Sequence, residues 1–201
     1  MKKYFFSFTA GAALLLSAFA YNNVLPIGAE MPMKDTKMKD VSGASVSLQD
    51  AKKDKGLLVM FSCNTCPYVI KNQQRTKDIS AYAQEKGLGV ILVNSNEGQR
   101  SGDDAYSAMQ AYAKNEGYKW YYVVDENNKL ADAFGATRTP ECYLFNAEGK
   151  LVYHGAIDDN PANESAVSRH HLKMAVDEML SGKEVSTTTS RSVGCAIKRK
   201  S

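Results

Sequence analysis

The sequence predicts an α/β, three-layer domain: a central mixed sheet, helices on both faces, and a C-terminal antiparallel hairpin. Three observations in the 201 residues predict it. Residues 56–62 and 88–94 are short, nearly unbroken apolar runs, as expected of strands buried on both faces. Segments with helical spacing alternate with these runs, which implies parallel strands crossed over by helices. Glu141–Phe145 and residues 150–157 are joined by the short Asn146-Ala147-Glu148-Gly149, which reads as a hairpin.

The elements follow in order. Residues 21–55 are polar and broken by Pro26, Gly28 and Pro32, with Val46-Ser47-Leu48 as one arm of a hairpin about Ser42-Gly43. After the first buried strand, residues 68–86 read as one helix offering Val69, Ile70, Ile79, Tyr82 and Ala83 to the core, stopped by Gly87. Strand 88–94 leads through a polar loop, 94–104, to a helix over 103–115. That helix carries Ala105, Ala108, Met109, Tyr112 and Ala113 on one face and ends at Gly117. Strand 120–124, a turn at 125–128 and one or two helical turns closed by Gly135 precede the hairpin. Asp158 and Asp159 read as a polar turn capping a last helix over 165–180, with Val167, Leu172, Ala175, Val176, Met179 and Leu180 as its apolar face. Residues 181–201 have no periodicity and end in Lys198-Arg199-Lys200-Ser201; no internal repeat is visible.

Residues 1–20 read as an export signal. Lys2 and Lys3 supply the positive start, an apolar stretch follows, and Ala18-Phe19-Ala20 fits a small-x-small cleavage site. The apolar run is short for a membrane span of about 20 residues, and no cysteine follows it to carry a lipid. The chain is thus expected to be exported to a bacterial periplasm or cell envelope, with no stable membrane insertion after cleavage. The division expected is a signal peptide at 1–20, a domain at 21–185 and a tail at 186–201. The net charge of +3 falls to +1 without Lys2 and Lys3, which gives no case for nucleic acid as a partner.

Cys63-Asn64-Thr65-Cys66 directly follows the first buried strand and precedes the first helix. Unpaired backbone N–H groups and the helix dipole favour a thiolate there. One thiol attacks a disulfide, and the second, a helical turn away, resolves the product. The bland alternatives are a structural disulfide or half of a zinc site. A four-ligand zinc site wants a second close pair, and Cys142, Cys195, His154, His170 and His171 form none, so no metal is expected. Pro67 occupies the first helical turn, where its missing N–H matters least. Asn64 and Thr65 carry no charge to strengthen a thiolate, which favours a reductant over a strong oxidant. Cys142, inside a strand, reads as a small buried hydrophobe.

These residues resemble the thioredoxin superfamily. The FSCNTCPYV turn, Gly135-Ala136-Thr137-Arg138-Thr139-Pro140 and the hairpin after it carry the resemblance. More narrowly, CNxCPYV, TRTP, YHGAIDDN and GCAIKRK resemble bacterial redoxin-domain, peroxiredoxin-like (AhpC/TSA- and TlpA-like) thiol oxidoreductases, over about residues 24–201. The resemblance implies a thioredoxin-like fold with a strand–helix insertion, about residues 88–124, between the Cys-x-x-Cys helix and the proline. It implies Cys63 as attacking thiol, Cys66 as resolving thiol, and a cis peptide bond before Pro140, with Thr139 and Pro140 facing the substrate. No cofactor is implied beyond a redox-active Cys63–Cys66 disulfide. The implied partners are protein thiols or disulfides and a redox partner protein. Asn64, Thr65, Pro67, Arg138 and Cys195 are accessory candidates. Arg138 is either a solvated loop residue or a partner for a thiolate or peroxide. Cys195, in the subgroup's Gly-Cys-x-Ile-Lys pattern, is either a third redox thiol or a residue packed on the domain surface.

The expected function is thiol–disulfide exchange with protein substrates. One alternative is a thiol peroxidase, in which a Cys thiolate becomes a sulfenic acid. Peroxiredoxins usually carry Thr or Ser three residues before the peroxidatic Cys, where this chain has Met60 before Cys63 and Cys63 before Cys66. The other alternative is a non-enzymatic binding domain with a structural disulfide.

Overall fold

A computed structural model describes residues 24–200; the export-signal reading of 1–20 lies outside them. Two short strands open the domain, β1 (Met38–Asp40) and β2 (Ser45–Val46), paired antiparallel as the expected hairpin. Leu48 is not part of it: it begins α1 (Leu48–Ala51), because Ser47 and Asp50 form a reciprocal capping box. The central strands β3 (Leu57–Ser62) and β4 (Gly89–Asn94) pair in parallel and are buried at every position. β5 (Tyr121–Val124) continues the parallel part beside β4. On the other side of β3, β7 (Glu141–Phe145) and β8 (Leu151–Gly155) form the antiparallel hairpin. The sheet order is β2-β1-β5-β4-β3-β7-β8.

Alternation along β3 divides the core between the two faces. Leu57, Val59 and Phe61 join Ile91, Val93, Phe134, Tyr143 and Phe145 under α1 and α5 (Lys129–Phe134). Leu58 and Met60 join Val90, Leu92, Tyr122 and Leu144 on the opposite face. That face is covered by α3 (Gln73–Glu85), α4 (Tyr106–Glu116) and α6 (His171–Leu180). Edge-to-face aromatic contacts of Phe61 with Phe134, 5.4 Å between centroids, and with Tyr143, 5.6 Å, fix the strand that leads into the cysteine turn.

Three helical expectations are corrected. The single helix over 68–86 is two, α2 (Pro67–Lys71) and α3, broken at Asn72. The buried Asn72 amide donates to the Tyr68 carbonyl at 2.7 Å and to the Pro161 carbonyl at 2.9 Å, so the side chain supplies contacts a continuous helix would not need. Ile70 is 55% exposed rather than core, because α2 turns it away from the sheet. The last helix begins at His171, not 165, and neither Asp158 nor Asp159 caps it. Asp159 instead accepts the Ser168 N–H at 3.0 Å, holding 158–170 as a folded loop that leaves Val167 outside the helix. Asp158 is buried against Arg75, 2.6 Å away.

Residues 181–200 have no helical or long-strand periodicity, yet they are packed. The chain runs along the β8 edge through the Ser190 N–H to His154 carbonyl bond at 3.0 Å. It then forms β9 (Cys195–Ala196), antiparallel to β6 (Arg138–Thr139). Among the described residues no helix is long and apolar enough to cross a membrane.

Candidate active site

β3 delivers Cys63 to the C-terminal end of the parallel strands, where open α/β sheets place their ligand sites. Cys66 is the N-cap of α2 and Pro67 opens its first turn. The Thr139–Pro140 peptide bond is cis. β6 sets Thr139 against both sulfurs: its hydroxyl oxygen lies 3.4 Å from Cys63 Sγ, and its carbonyl oxygen 3.4 Å from Cys66 Sγ.

The expected Cys63–Cys66 disulfide is not the one formed. Cys66 is bonded to Cys195, with their Cα atoms 6.0 Å apart across 129 residues of sequence, and Cys63 is a free thiol. The cause is the path of the tail, which brings Cys195 into register opposite Thr139. Of the two open readings for Cys195, a residue merely packed on the surface is set aside.

Cys63 is 1% exposed. Burial pushes its thiol above the ordinary value, and the Asp104 carboxylate adds to the shift. The Thr139 hydroxyl and the backbone N–H groups of Cys66 and Thr65 pull the other way. The helix-terminus stabilisation expected of Cys63 is therefore present but outweighed by desolvation in this closed arrangement. Cys142 is fully buried, and burial drives its thiol upward too, as suits a small apolar filler.

The accessory candidates separate. Asn64 is buried in a polar network: its backbone N–H donates to Asp104 Oδ1 at 2.9 Å, and its side-chain oxygen accepts from the Tyr122 hydroxyl at 2.9 Å. Thr65 and Pro67 are exposed. Arg138 points to neither thiol, because its guanidinium donates to the Gly194 carbonyl at 3.0 Å and so clamps the tail. Met60, three residues before Cys63, is fully buried beside Thr76, with no hydroxyl to offer a peroxide.

Sequence reading missed two residues. Asp104 is fully buried and accepts from Asn64 N–H, from Asn94 Nδ2 at 2.7 Å and from Asn96 Nδ2 at 2.9 Å. Nothing distinguished it within an Asp-rich loop. Glu141, buried behind Pro140, accepts the N–H groups of Thr137 at 2.9 Å and Arg138 at 3.0 Å, and pairs with His154 at 2.7 Å. It holds the residues leading to the cis bond. A charged residue opening an otherwise apolar strand was its one signal.

A sheet of this order with a Cys-x-x-Cys turn facing a cis-proline defines a thioredoxin-like oxidoreductase. The chain belongs to the Redoxin family, whose model matches residues 28–170. It is similar to the thiol-disulfide oxidoreductase ResA of Bacillus subtilis, 23% identical over 142 residues that cover 71% of this chain and 74% of that protein. An uncharacterized conserved protein of Geobacillus kaustophilus superposes with a TM-score of 0.82 at 33% identity, covering 89% of this chain and 94% of that one. A hypothetical protein of Sinorhizobium meliloti 1021 gives 0.81 at 33% identity, covering 89% and 97%.

Proposed function

We propose that the protein exchanges electrons with protein disulfides outside the cytoplasm. Cys63, as thiolate, attacks a substrate sulfur to form a mixed disulfide and expels the substrate's other thiolate. Cys66, as thiolate, then attacks Cys63 Sγ, releasing the substrate as a dithiol and leaving a Cys63–Cys66 disulfide. The observation carrying this reading is Thr139, one residue touching both sulfurs: its hydroxyl stabilises the attacking thiolate and its carbonyl orients the resolving group. The similarity to ResA, a thiol-disulfide oxidoreductase by name, supports it. The export-signal reading of residues 1–20 fits a compartment in which protein disulfides persist.

Insulin, whose disulfides are the substrate, tests the reading with dithiothreitol as reductant. The protein should accelerate insulin reduction, Cys63→Ser should abolish the acceleration, and Cys66→Ser should accumulate a mixed disulfide on Cys63. An unaccelerated reaction with the wild-type protein rejects the function. Finding the N-terminus of the envelope-fraction protein at about residue 21 supports a cleaved export signal; an intact Met1 rejects cleavage, and absence of the protein from that fraction rejects export.

A further inference from the structure

Cys195 is anchored rather than adventitious. Its strand pairs with β6 so that Thr139 faces Cys195 and Arg138 faces Ala196. Downstream, the Ile197 N–H donates to the Thr137 carbonyl at 3.0 Å, and Ile197 is 5% exposed within the same apolar cluster as Phe61 and Phe134. The Lys198 N–H donates to Asn96 Oδ1 at 2.9 Å, and the Gly98 N–H to the Lys198 carbonyl at 2.7 Å. Arg199 reaches Asp132 and the Ala136 carbonyl, at 3.0 and 2.9 Å. Upstream, a β-carbon on Gly194 would overlap the Thr139 carbonyl oxygen, so glycine lets the tail lie directly on the cis-proline turn. Sequence-distant groups are thus spent on placing one sulfur against Cys66.

The three sulfurs differ in access. Cys63 and Cys66 are 1% and 4% exposed, while Cys195 is half-buried. A disulfide held between Cys63 and Cys66 under the docked tail is poorly placed for a reductant protein, and one ending at Cys195 is better placed.

We propose that Cys195 is a third catalytic thiol, which carries the disulfide from the buried pair to the surface. The proposal rests on the exchange assigned above to Cys63 and Cys66. After the substrate disulfide has been reduced, Cys66 is joined to Cys63. The Cys195 thiolate attacks Cys66 Sγ; the Cys66–Cys195 bond forms, the Cys63–Cys66 bond breaks, and Cys63 leaves as a thiolate that takes up the proton lost by Cys195. No electrons enter or leave in this step. The nucleophile is restored while the oxidising equivalent sits on the tail, the arrangement seen in the structure. An external protein dithiol then attacks Cys195 Sγ, expels Cys66 as thiolate and resolves its own mixed disulfide. Two electrons and two protons pass to the protein, and the donor leaves oxidised. Tethering and docking supply the drive, because a sulfur held at its target has a high effective concentration.

A single-turnover experiment tests this. Fully reduced full-length protein is mixed with equimolar insulin, quenched in denaturant with an alkylating agent, and mapped by mass spectrometry without reduction. The expected wild-type product has Cys66–Cys195 in about tenfold excess over Cys63–Cys66, with Cys63 alkylated. The Cys195→Ser variant should hold its oxidising equivalent as Cys63–Cys66 after the turnover. A wild-type protein that reduces insulin yet stops at Cys63–Cys66, with Cys195 alkylated, overturns the relay and leaves the exchange reading standing. Failure of the wild-type protein to reduce any insulin overturns both. Protection of Cys142 from alkylation before denaturation verifies that the variant is folded.

Discussion

The Thr139 hydroxyl oxygen sits 3.4 Å from the Cys63 sulfur, inside the strand that also receives the tail. Burial drives the Cys63 thiol upward, and this hydroxyl opposes the shift by donating to the thiolate. Thr139→Val keeps the shape and removes the donor. In the reduced protein, the pH at which Cys63 is half-alkylated should move up, and its alkylation rate near neutral pH should fall about tenfold, the worth of one hydrogen bond to a charged sulfur. An unchanged pH profile means that the hydroxyl does not serve the thiolate.

Gly194→Ala addresses the docking of the tail. The new methyl group meets the Thr139 backbone, which cannot give way without disturbing the cis-proline turn. Overpacking of this kind costs about 1–3 kcal/mol, which disfavours the docked tail by about fivefold or more. Disulfide mapping of the oxidised variant should show Cys63–Cys66 gaining at the expense of Cys66–Cys195. An unaltered ratio rejects the role given to the glycine.

Asp158→Asn tests the ion pair that fastens the loop before α6 to α3. Arg75 and Asp158 are 7% and 1% exposed at the side chain, and Arg75 also donates to the Asn160 carbonyl at 3.0 Å. Leaving a buried guanidinium without its anion costs about 3–5 kcal/mol. Urea unfolding should show that loss, and Arg75→Met combined with Asp158→Asn should recover a large part of it. A single variant as stable as wild type contradicts the burial of the pair.

Cys142 sets an alkaline limit on stability. Desolvation raises its thiol first, and the Glu141 and Asp158 carboxylates add to it. Below the ordinary thiol value of about 8.5 both folded and unfolded chains hold the proton, and the contribution is level. Above it the unfolded chain ionises first, so stability is lost as pH rises toward the folded value. Between about pH 8 and pH 10 the denaturation midpoint should fall more steeply in wild type than in Cys142→Ala. Parallel slopes reject the assignment.

Particular residues show what was legible in the chain. Leu57 to Phe61 and Val90 to Val93 announced central strands because both faces of each must be apolar beneath helices. Cys63 and Cys66 marked the candidate site because two thiols at that spacing are a local feature, whereas Pro140 entered only through the family resemblance. The break at Asn72 was hidden: its amide answers a carbonyl at Pro161, 89 positions away. The bond from Cys66 to Cys195 was hidden for the same reason, since it depends on where the tail runs across 129 residues and not on any nearby spacing. Asp104 looked like loop charge: Asn94 and Asn96 stand in its own loop, and the Asn64 N–H that ties it to the cysteine turn comes from 40 positions away.

Ile197 bears on how separable the parts of this protein are. It shares an apolar cluster with Phe61, the β3 residue two positions before Cys63, and with Phe134 at the end of α5. The last residues are therefore not a portable appendage. Transplanted onto a related thioredoxin-like domain, Gly194 to Arg199 would bring a thiol but no socket: that host would also need room for Ile197 beneath the cysteine turn, an amide at the Asn96 position and an acid at the Asp132 position. Modularity stops at the sheet, and the tail and the core beneath the thiols are one unit for substitution and for design.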